Sequence, residues 1–111
     1  MIDILRQIQE AVSDGQLLFG PHALQQMAQQ EPILFAVHVQ ETILTGEVIE
    51  DYPGDVRGPS CLTLGWTGAG EPVHAVVTTP RPYVFVITAY RPSSARWTDD
   101  FRNRQMKGGP T

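Results

Sequence analysis

The chain has 111 residues, of which 41% are hydrophobic and 18% charged, and its formal net charge is -4. These values are typical of one globular domain and exclude a disordered chain, and no apolar run approaches the roughly 20 residues of a membrane span. The single cysteine, Cys61, excludes an intramolecular disulfide and a multi-cysteine zinc site. We therefore expect a single domain over residues 1–111, without a signal peptide, in a cytoplasmic compartment of bacterial type.

Apolar residues at helical spacing predict three helices in residues 3–46. The first spans about residues 3–13, with Asp3 as its N-cap. The second begins with Pro21 at its first position, where the missing N–H costs nothing. A third helix is expected to follow Pro32, since this proline interrupts the second.

Four later segments have the composition and alternation of β-strands. Their sequences are EVIEDY, CLTLGW, PVHAVVTT and YVFVITAY, all within the sheet part at residues 47–91. Short turns join them, and short turns cannot make the crossovers that parallel strands need. The predicted fold class is therefore α+β, with the N-terminal helices packed on one face of a four-stranded antiparallel meander and the other face more open.

His74 interrupts the third of these strands and is the first candidate site residue. Alternation turns its apolar neighbours towards the helices and His74 itself to the open face. A short hairpin to the fourth strand would bring it close to Tyr90 and Arg91. The same alternation places Tyr90 on one face of the fourth strand and an apolar set on the other: Tyr83, Phe85, Ile87 and Ala89.

A histidine, a tyrosine and an arginine brought together suggest acid–base chemistry on a phosphodiester. Imidazole moves protons near neutral pH, and a guanidinium group can hold a phosphate by two parallel hydrogen bonds. This chemistry needs neither a metal ion nor an organic cofactor. The alternative is that His74 is a half-buried structural residue, Tyr90 packs and Arg91 forms a salt bridge.

His22 is a second candidate, because it lies at the start of the second helix. The unpaired N–H groups there suit a bound anion. A metal site made by His22 and His74 would lack a third ligand, so we expect no metal.

The charge is distributed unevenly along the chain. Residues 1–71 carry ten acidic and two basic side chains, whereas residues 72–111 carry two acidic and six basic ones. A basic half can indicate an anionic partner such as RNA. Equally, two halves of opposite charge can pack together and neutralise each other, and the sequence leaves both alternatives open.

The basic C-terminal segment, residues 92–111, interleaves arginines with Trp97 and Phe101. Basic side chains can hold a nucleic-acid backbone, and aromatic side chains can stack a nucleobase. The candidate nucleic-acid-binding residues are Arg96, Arg102 and Arg104. The aromatic residues could instead anchor the segment, in which we expect a short helix from about Asp99 and then a frayed tail, MKGGPT.

Three segments of the chain resemble a known family. They are HALQQM at 22–27, GEVIEDYPGDVRGPSCLTLGWTGAGEPVHAVV at 46–77, and ITAYRPSSARWTDDFRNR at 87–104. The family is the bacterial and archaeal one catalogued as domain of unknown function 4258, which has no settled activity. Many members have arginine in the second helix, where this sequence has Gln26 and Gln30.

This resemblance implies a distant similarity to the RelE-type messenger-RNA-cleaving toxins. Four residues of this chain match recurring polar positions of the family: His22, His74, Tyr90 and Arg91. The first functional hypothesis is therefore a metal-independent, toxin-type ribonuclease that uses histidine acid–base catalysis, with Arg91 stabilising the phosphoryl transition state. RNA would be its substrate, and an antitoxin or another protein its partner.

The second hypothesis is a non-catalytic protein-binding module of the same fold. It is favoured by the acidic net charge and by the missing arginines of the second helix. Neither hypothesis requires a cofactor or a membrane.

Overall fold

The computed structural model describes residues 3–105, which form three helices and five strands. The helices are α1 (Ile4–Ser13), α2 (Pro21–Ala28) and α3 (Ala36–Leu44). The strands are β1 (Leu17–Phe19), β2 (Glu47–Tyr52), β3 (Ser60–Trp66), β4 (Pro72–Thr78) and β5 (Val84–Tyr90). They form one sheet in the order β1-β5-β4-β3-β2, so the predicted α+β class is confirmed. No helix within these residues is long and apolar enough to cross a membrane.

The prediction of a four-stranded, wholly antiparallel sheet is wrong in one respect, because β1 adds a fifth strand parallel to β5. β1 consists of only three residues, which are too few to show an alternating pattern. The chain from α2 to β4 supplies the long connection that a parallel pair needs. Strands β2 to β5 form the antiparallel meander that the sequence predicts.

Local signals set where the helices begin. The Asp3 carboxylate accepts a hydrogen bond from the backbone N–H of Leu5 at 3.1 Å and caps α1. Pro21 is the first residue of α2, as predicted. The third helix begins at Ala36, later than the predicted start after Pro32, and the residues between them are not helical.

The main hydrophobic core lies between the helices and one face of the sheet. Its fully buried side chains include Ile8, Val12, Val39 and Ile43 from the helices and Val73, Ala75 and Val77 from β4. Gly65 of β3 allows α3 to pack closely on this face, since a Cβ at that position would overlap the backbone of Thr42.

A β-bulge at Ile87 interrupts the alternation of β5. Val76 pairs with Thr88 and Val77 pairs with Val86, so Ile87 has no partner in this ladder. A bulge adds one residue to one strand and shifts the side-chain alternation by one position.

The predicted faces of β5 are wrong because of this bulge. Before it, Val84 and Val86 point into the core and are fully buried, whereas Phe85 faces away and is 45% exposed. After it, Tyr90 lies on the same face as Phe85. The set predicted to share one apolar face is therefore divided between the two faces: Tyr83, Phe85, Ile87 and Ala89.

The sheet face opposite the helices, which we call the strap face, is not open as predicted. The C-terminal segment at residues 92–105, which we call the strap, folds back across it. Trp97 and Arg104 form an isolated antiparallel bridge within the strap, and the predicted helix from Asp99 is wrong for these residues. Trp97 is only 3% exposed and anchors the strap. The predicted frayed tail, MKGGPT, lies at residues 106–111, outside the described residues.

Two glutamine side chains, one in α2 and one just after it, accept backbone hydrogen bonds along the edge of β5 beyond the end of β1. The Gln26 side-chain oxygen accepts the backbone N–H of Ala89 at 3.0 Å, and that of Gln30, one turn later, accepts the N–H of Arg91 at 3.0 Å. Backbone N–H groups removed from water need such acceptors. Arginine has only donors and could not replace either glutamine in this role. Glutamine rather than arginine at these positions therefore has a direct structural function.

We expect Gln26→Leu to lower the free energy of unfolding by about 1–3 kcal/mol, because the N–H of Ala89 would lose its acceptor. Gln26→Glu keeps an acceptor oxygen at the same reach and should lose clearly less. Urea unfolding followed by circular dichroism measures both variants beside the wild type. Equal losses in the two variants would show that the hydrogen bond does not stabilise this edge.

Candidate arginine-lined site

His74 lies in the middle of the strap face and is fully buried. It pairs directly with Tyr90 across β4 and β5, as the predicted hairpin requires. Its Nδ1 lies 3.1 Å from the Tyr90 hydroxyl oxygen, and its Nε2 lies 2.9 Å from the carbonyl oxygen of Phe101. The Trp97 ring packs edge-to-face on the imidazole, with centroids 4.3 Å apart. The prediction that His74 faces an open surface is wrong, because the strap covers it.

These contacts define the tautomer of the neutral imidazole. The carbonyl of Phe101 can only accept, so Nε2 carries the proton and donates it, and Nδ1 accepts the hydroxyl proton of Tyr90. Burial lowers the pKa of His74 below its ordinary value of 6.5, and the hydrogen bond to Phe101 opposes this only in part. Burial also raises the pKa of Tyr90, which keeps its hydroxyl protonated. His74 is therefore neutral at neutral pH, with its lone pair directed at Tyr90.

Phe101 holds its carbonyl against His74 from a left-handed backbone conformation, with φ of 61°. That conformation costs a non-glycine residue about 1–2 kcal/mol. Two contacts oppose the cost: the hydrogen bond from His74, and edge-to-face packing of the Phe101 ring on Trp66, with centroids 6.1 Å apart. The strap is thus attached both to the middle of the sheet and to the end of β3.

Two arginines of the strap are bound by glutamates of β2. Arg102 donates to Glu47 through Nε at 3.0 Å and Nη2 at 2.7 Å, and Arg104 donates to Glu50 through the same two nitrogens at 3.0 Å each. The hydrogen bond from Arg102 lowers the pKa of Glu47. Burial would raise the pKa of Glu50, but the hydrogen bonds from Arg104 and Tyr52 outweigh burial and lower it. The acidic and basic halves of the chain therefore pack against each other here.

A cavity of about 310 Å³, which we call the arginine cleft, lies beside the strap. Three of its walls are arginine side chains, those of Arg91, Arg96 and Arg104. The remaining lining comes from Gln26, Tyr90, Ser93 and Trp97. The cleft therefore combines three cationic groups with the hydroxyl that donates to His74.

Two of the three arginines are oriented by partners outside the cleft. Arg91 donates through Nε to Glu71 at 3.3 Å and through Nη1 to the carbonyl of Pro32 at 2.6 Å. The guanidinium of Arg104 lies over the Trp97 ring, 4.7 Å from its centroid, while Glu50 holds its nitrogens. Arg96 is exposed and forms no ion pair within residues 3–105, so it is available to a ligand.

His22 borders a different cavity. This second cavity, of about 270 Å³, is lined by His22 together with Arg57, Phe85 and Ile87 among others. His22 and Gln26 lie one helical turn apart on the same face of α2. Since Gln26 lines the arginine cleft, lining residues of the two cavities lie on neighbouring turns of this helix.

The structure brings together four of the predicted site residues in the arginine cleft: Tyr90, Arg91, Arg96 and Arg104. His74 lies directly behind Tyr90, His22 borders the second cavity, and Arg102 is bound to Glu47. Gln26 and Ser93 were not predicted as site residues. Nothing in the local sequence marks Gln26, because its position depends on the edge of β5. Within the described chain, no three His, Cys, Asp or Glu side chains cluster so that they could hold a metal ion.

A five-stranded mixed sheet with helices on one face and a cationic cleft beside a C-terminal strap defines a small α+β domain. The family model described as Domain of unknown function (DUF4258) matches residues 19–91, more than half of the chain, and the chain belongs to this family. No curated protein and no solved structure matches it significantly. The predicted family is thus confirmed, whereas the similarity to RelE-type toxins finds no support in these comparisons and stays a prediction.

The family match divides the site. The matched residues include α2, His74, Tyr90 and Arg91, but the match ends before Arg96 and Trp97. The sheet side of the cleft therefore belongs to the matched region, and the strap side lies outside it.

We expect His74→Gln to change how stability depends on pH. Because the folded pKa of His74 is lowered, the unfolded chain binds a proton on His74 near pH 6.5, and the folded protein does so only at lower pH. The contribution of neutral His74 is therefore fully present above about pH 6.5 and is lost as the pH falls towards the folded pKa. The free energies of unfolding of the two proteins should converge as the pH falls.

Urea titrations of both proteins at about pH 7.5, 6.5 and 5.5 measure this convergence. The exposed His22 and the half-buried His38 are present in both proteins, so their contributions cancel. A constant difference between wild type and variant over this range would contradict a buried, neutral His74.

Proposed function

We propose that the domain is a metal-independent ribonuclease that holds RNA phosphates in the arginine cleft. One observation carries the proposal: three arginine side chains and a tyrosine hydroxyl border a single cavity, and the hydroxyl donates to a buried neutral histidine. Guanidinium groups match the geometry of phosphate oxygens and hold them by charge-assisted hydrogen bonds. The cavity volume of about 310 Å³ falls within the range of ligand sites.

The arginines supply phosphate binding and transition-state stabilisation. Glu50 fixes the guanidinium of Arg104, and Glu71 fixes that of Arg91 on the side of a separate cavity, and neither carboxylate lines the cleft. Groups oriented in advance need little reorganisation when negative charge develops on the phosphoryl oxygens, and this is the basis of electrostatic catalysis. Arg96, which is exposed, is the arginine that closes on the phosphate.

Tyr90 and His74 provide the proton transfer. The RNA 2′-hydroxyl attacks the adjacent phosphorus, so that the bond from the 2′-oxygen to phosphorus forms and the bond from phosphorus to the 5′-oxygen breaks. The 2′-hydroxyl proton passes to the Tyr90 oxygen as the proton of Tyr90 moves to Nδ1 of His74. The leaving 5′-oxygen takes a proton from water, and His74 returns its proton through Tyr90 to the hydroxide ion that this leaves. The carbonyl of Phe101 supports this transfer because it keeps Nδ1 unprotonated at the start.

We expect Tyr90→Phe to reduce RNA cleavage by about 10²–10⁴-fold, since loss of a proton-transferring group has effects of this size. The substitution keeps the aromatic ring and removes only the hydroxyl. Cleavage of an end-labelled RNA oligonucleotide by purified protein in excess EDTA measures the rate, and the products should carry a 2′,3′-cyclic phosphate. Full activity of Tyr90→Phe, or an inert wild type, would sink the proposed mechanism.

Arg96→Ala should lower the cleavage rate at least tenfold, about the effect of losing one charge-assisted hydrogen bond to a phosphate. Arg6→Ala is the matched control, because it removes the same charge from the exposed surface of α1. A toxin-type role adds that induced expression of the wild type slows the growth of a bacterial host and that Arg96→Ala relieves it. Equal cleavage rates for Arg96→Ala and Arg6→Ala would contradict phosphate binding by Arg96 in the cleft.

A protein-binding module is a second candidate, favoured by exposed apolar residues at the start of α3. Ile33, Phe35 and Val37 are 49%, 56% and 64% exposed, and the first two border a cavity of about 480 Å³. Clustered exposed apolar side chains mark protein contacts. An inert wild type that retains a stoichiometric protein partner from its native extract, and loses it on Phe35→Ser, would favour this function over the ribonuclease.

A further inference from the structure

We infer that the second cavity, next to the arginine cleft, stacks a base of a single-stranded RNA whose phosphate occupies the cleft. This inference rests on the proposed function and specifies its substrate class. It starts from two exposed aromatic rings at the end of the sheet that the strap does not cover, Phe85 at 45% and Tyr83 at 43% exposure. Neither ring has an aromatic partner among the described residues.

The second cavity has an apolar lining of the kind that packs against a base. Phe85 and Ile87 form its apolar side on β5, and Pro21 closes it from the start of α2. Phe85 also borders an adjoining hollow of about 160 Å³ with Tyr83. Aromatic side chains stack bases without regard to sequence, since every base has a π-face.

The charges around these cavities favour RNA over an apolar peptide. Arg57 and His22 line the cavity, Arg81 lines the adjoining hollow, and no carboxylate belongs to either lining within residues 3–105. Asp55 orients Arg57 through two hydrogen bonds of 3.0 and 2.9 Å, and Arg81 forms no ion pair within the described chain. Cations beside an aromatic ring match a nucleobase with a neighbouring phosphate, whereas an apolar peptide carries no charge that would pair with these cations.

Residues of the second cavity and of the arginine cleft lie close together along two elements. On α2, His22 borders the cavity and Gln26 borders the cleft, one turn or roughly 6 Å away. On β5, Ile87 borders the cavity and Tyr90 borders the cleft, roughly 10 Å away at the rise of a strand. One extended strand can therefore place a phosphate in the cleft and a nearby base on Phe85.

Only an unpaired strand can use both positions. In a duplex the bases are stacked on one another and their faces are closed to a protein side chain. His22, at the rim of the cavity, is then a contact of the bound strand rather than the base that removes the 2′-hydroxyl proton.

The test is binding of a fluorescein-labelled, fully 2′-O-methylated RNA octamer, which cannot be cleaved, measured by fluorescence anisotropy. Phe85→Ala should weaken binding about fivefold to 100-fold, the effect of losing one stacked base. Phe85→Trp keeps a stacking ring and should bind like the wild type, which separates stacking from local damage to β5. Phe35 is 56% exposed and lines neither the second cavity nor the arginine cleft, so Phe35→Ala should bind unchanged. The same octamer in duplex form should bind at least tenfold more weakly.

The outcomes separate the two proposals. If Phe85→Ala binds as tightly as the wild type while Arg96→Ala loses affinity, the stacking site is wrong and the arginine cleft stands. If Phe85→Ala and Phe35→Ala weaken binding equally, or the duplex binds as well as the single strand, the stacking site is also wrong. If the wild type binds no single-stranded octamer, both the stacking site and the ribonuclease proposal fail.

Discussion

The hydrogen-bonded chain from the Phe101 carbonyl through His74 to the Tyr90 hydroxyl joins the strap to the middle of the sheet. Because Nε2 must donate to the strap, Nδ1 is left to accept from Tyr90, so the structural and the proposed chemical role of His74 have the same origin. The attachment also brings Trp97 and Arg104 beside Tyr90, where they become walls of the arginine cleft. Without the strap, only Gln26, Tyr90 and Arg91 of the cleft lining would remain.

Ion pairs orient the cleft more than they stabilise the fold. Arg102 and Arg104 are 42% and 63% exposed, and exposed ion pairs contribute little to stability. Their bidentate geometry on Glu47 and Glu50 nevertheless fixes where the strap crosses β2. The net charge of -4 is therefore a poor measure of the potential inside the cleft, which three arginine residues line and no carboxylate lines within the described chain.

The family was predicted from the resemblance of three segments. Local pattern was enough to predict helices α1 to α3, strands β2 to β5 and the pairing of His74 with Tyr90. These features depend on neighbouring residues and short turns, which periodicity reports directly. Strand β1 could not be predicted, because three residues are too few to show the alternation of a strand and its partner β5 lies more than sixty residues away. The burial of His74 could not be predicted either, since it depends on Phe101, 27 residues later, in a segment without regular structure. The course of this segment also decides which arginines line the cleft, and Arg102 binds Glu47 instead.

Two β-bulges determine which side chains the strap face presents. In β5, strict alternation would put Phe85 and Tyr90 on opposite faces, and the extra residue Ile87 brings them to the same face. In β2, Ile49 is unpaired, and as a result Glu47 and Glu50 both face the strap. Bulges occur often beside active sites, where they redirect side chains. Here one bulge aligns the proposed stacking ring with the proton donor, and the other aligns the two carboxylates that hold the strap. Loss of either bulge would turn the side chains on one side of it to the opposite face, and would therefore disturb the site and the helix-side core together.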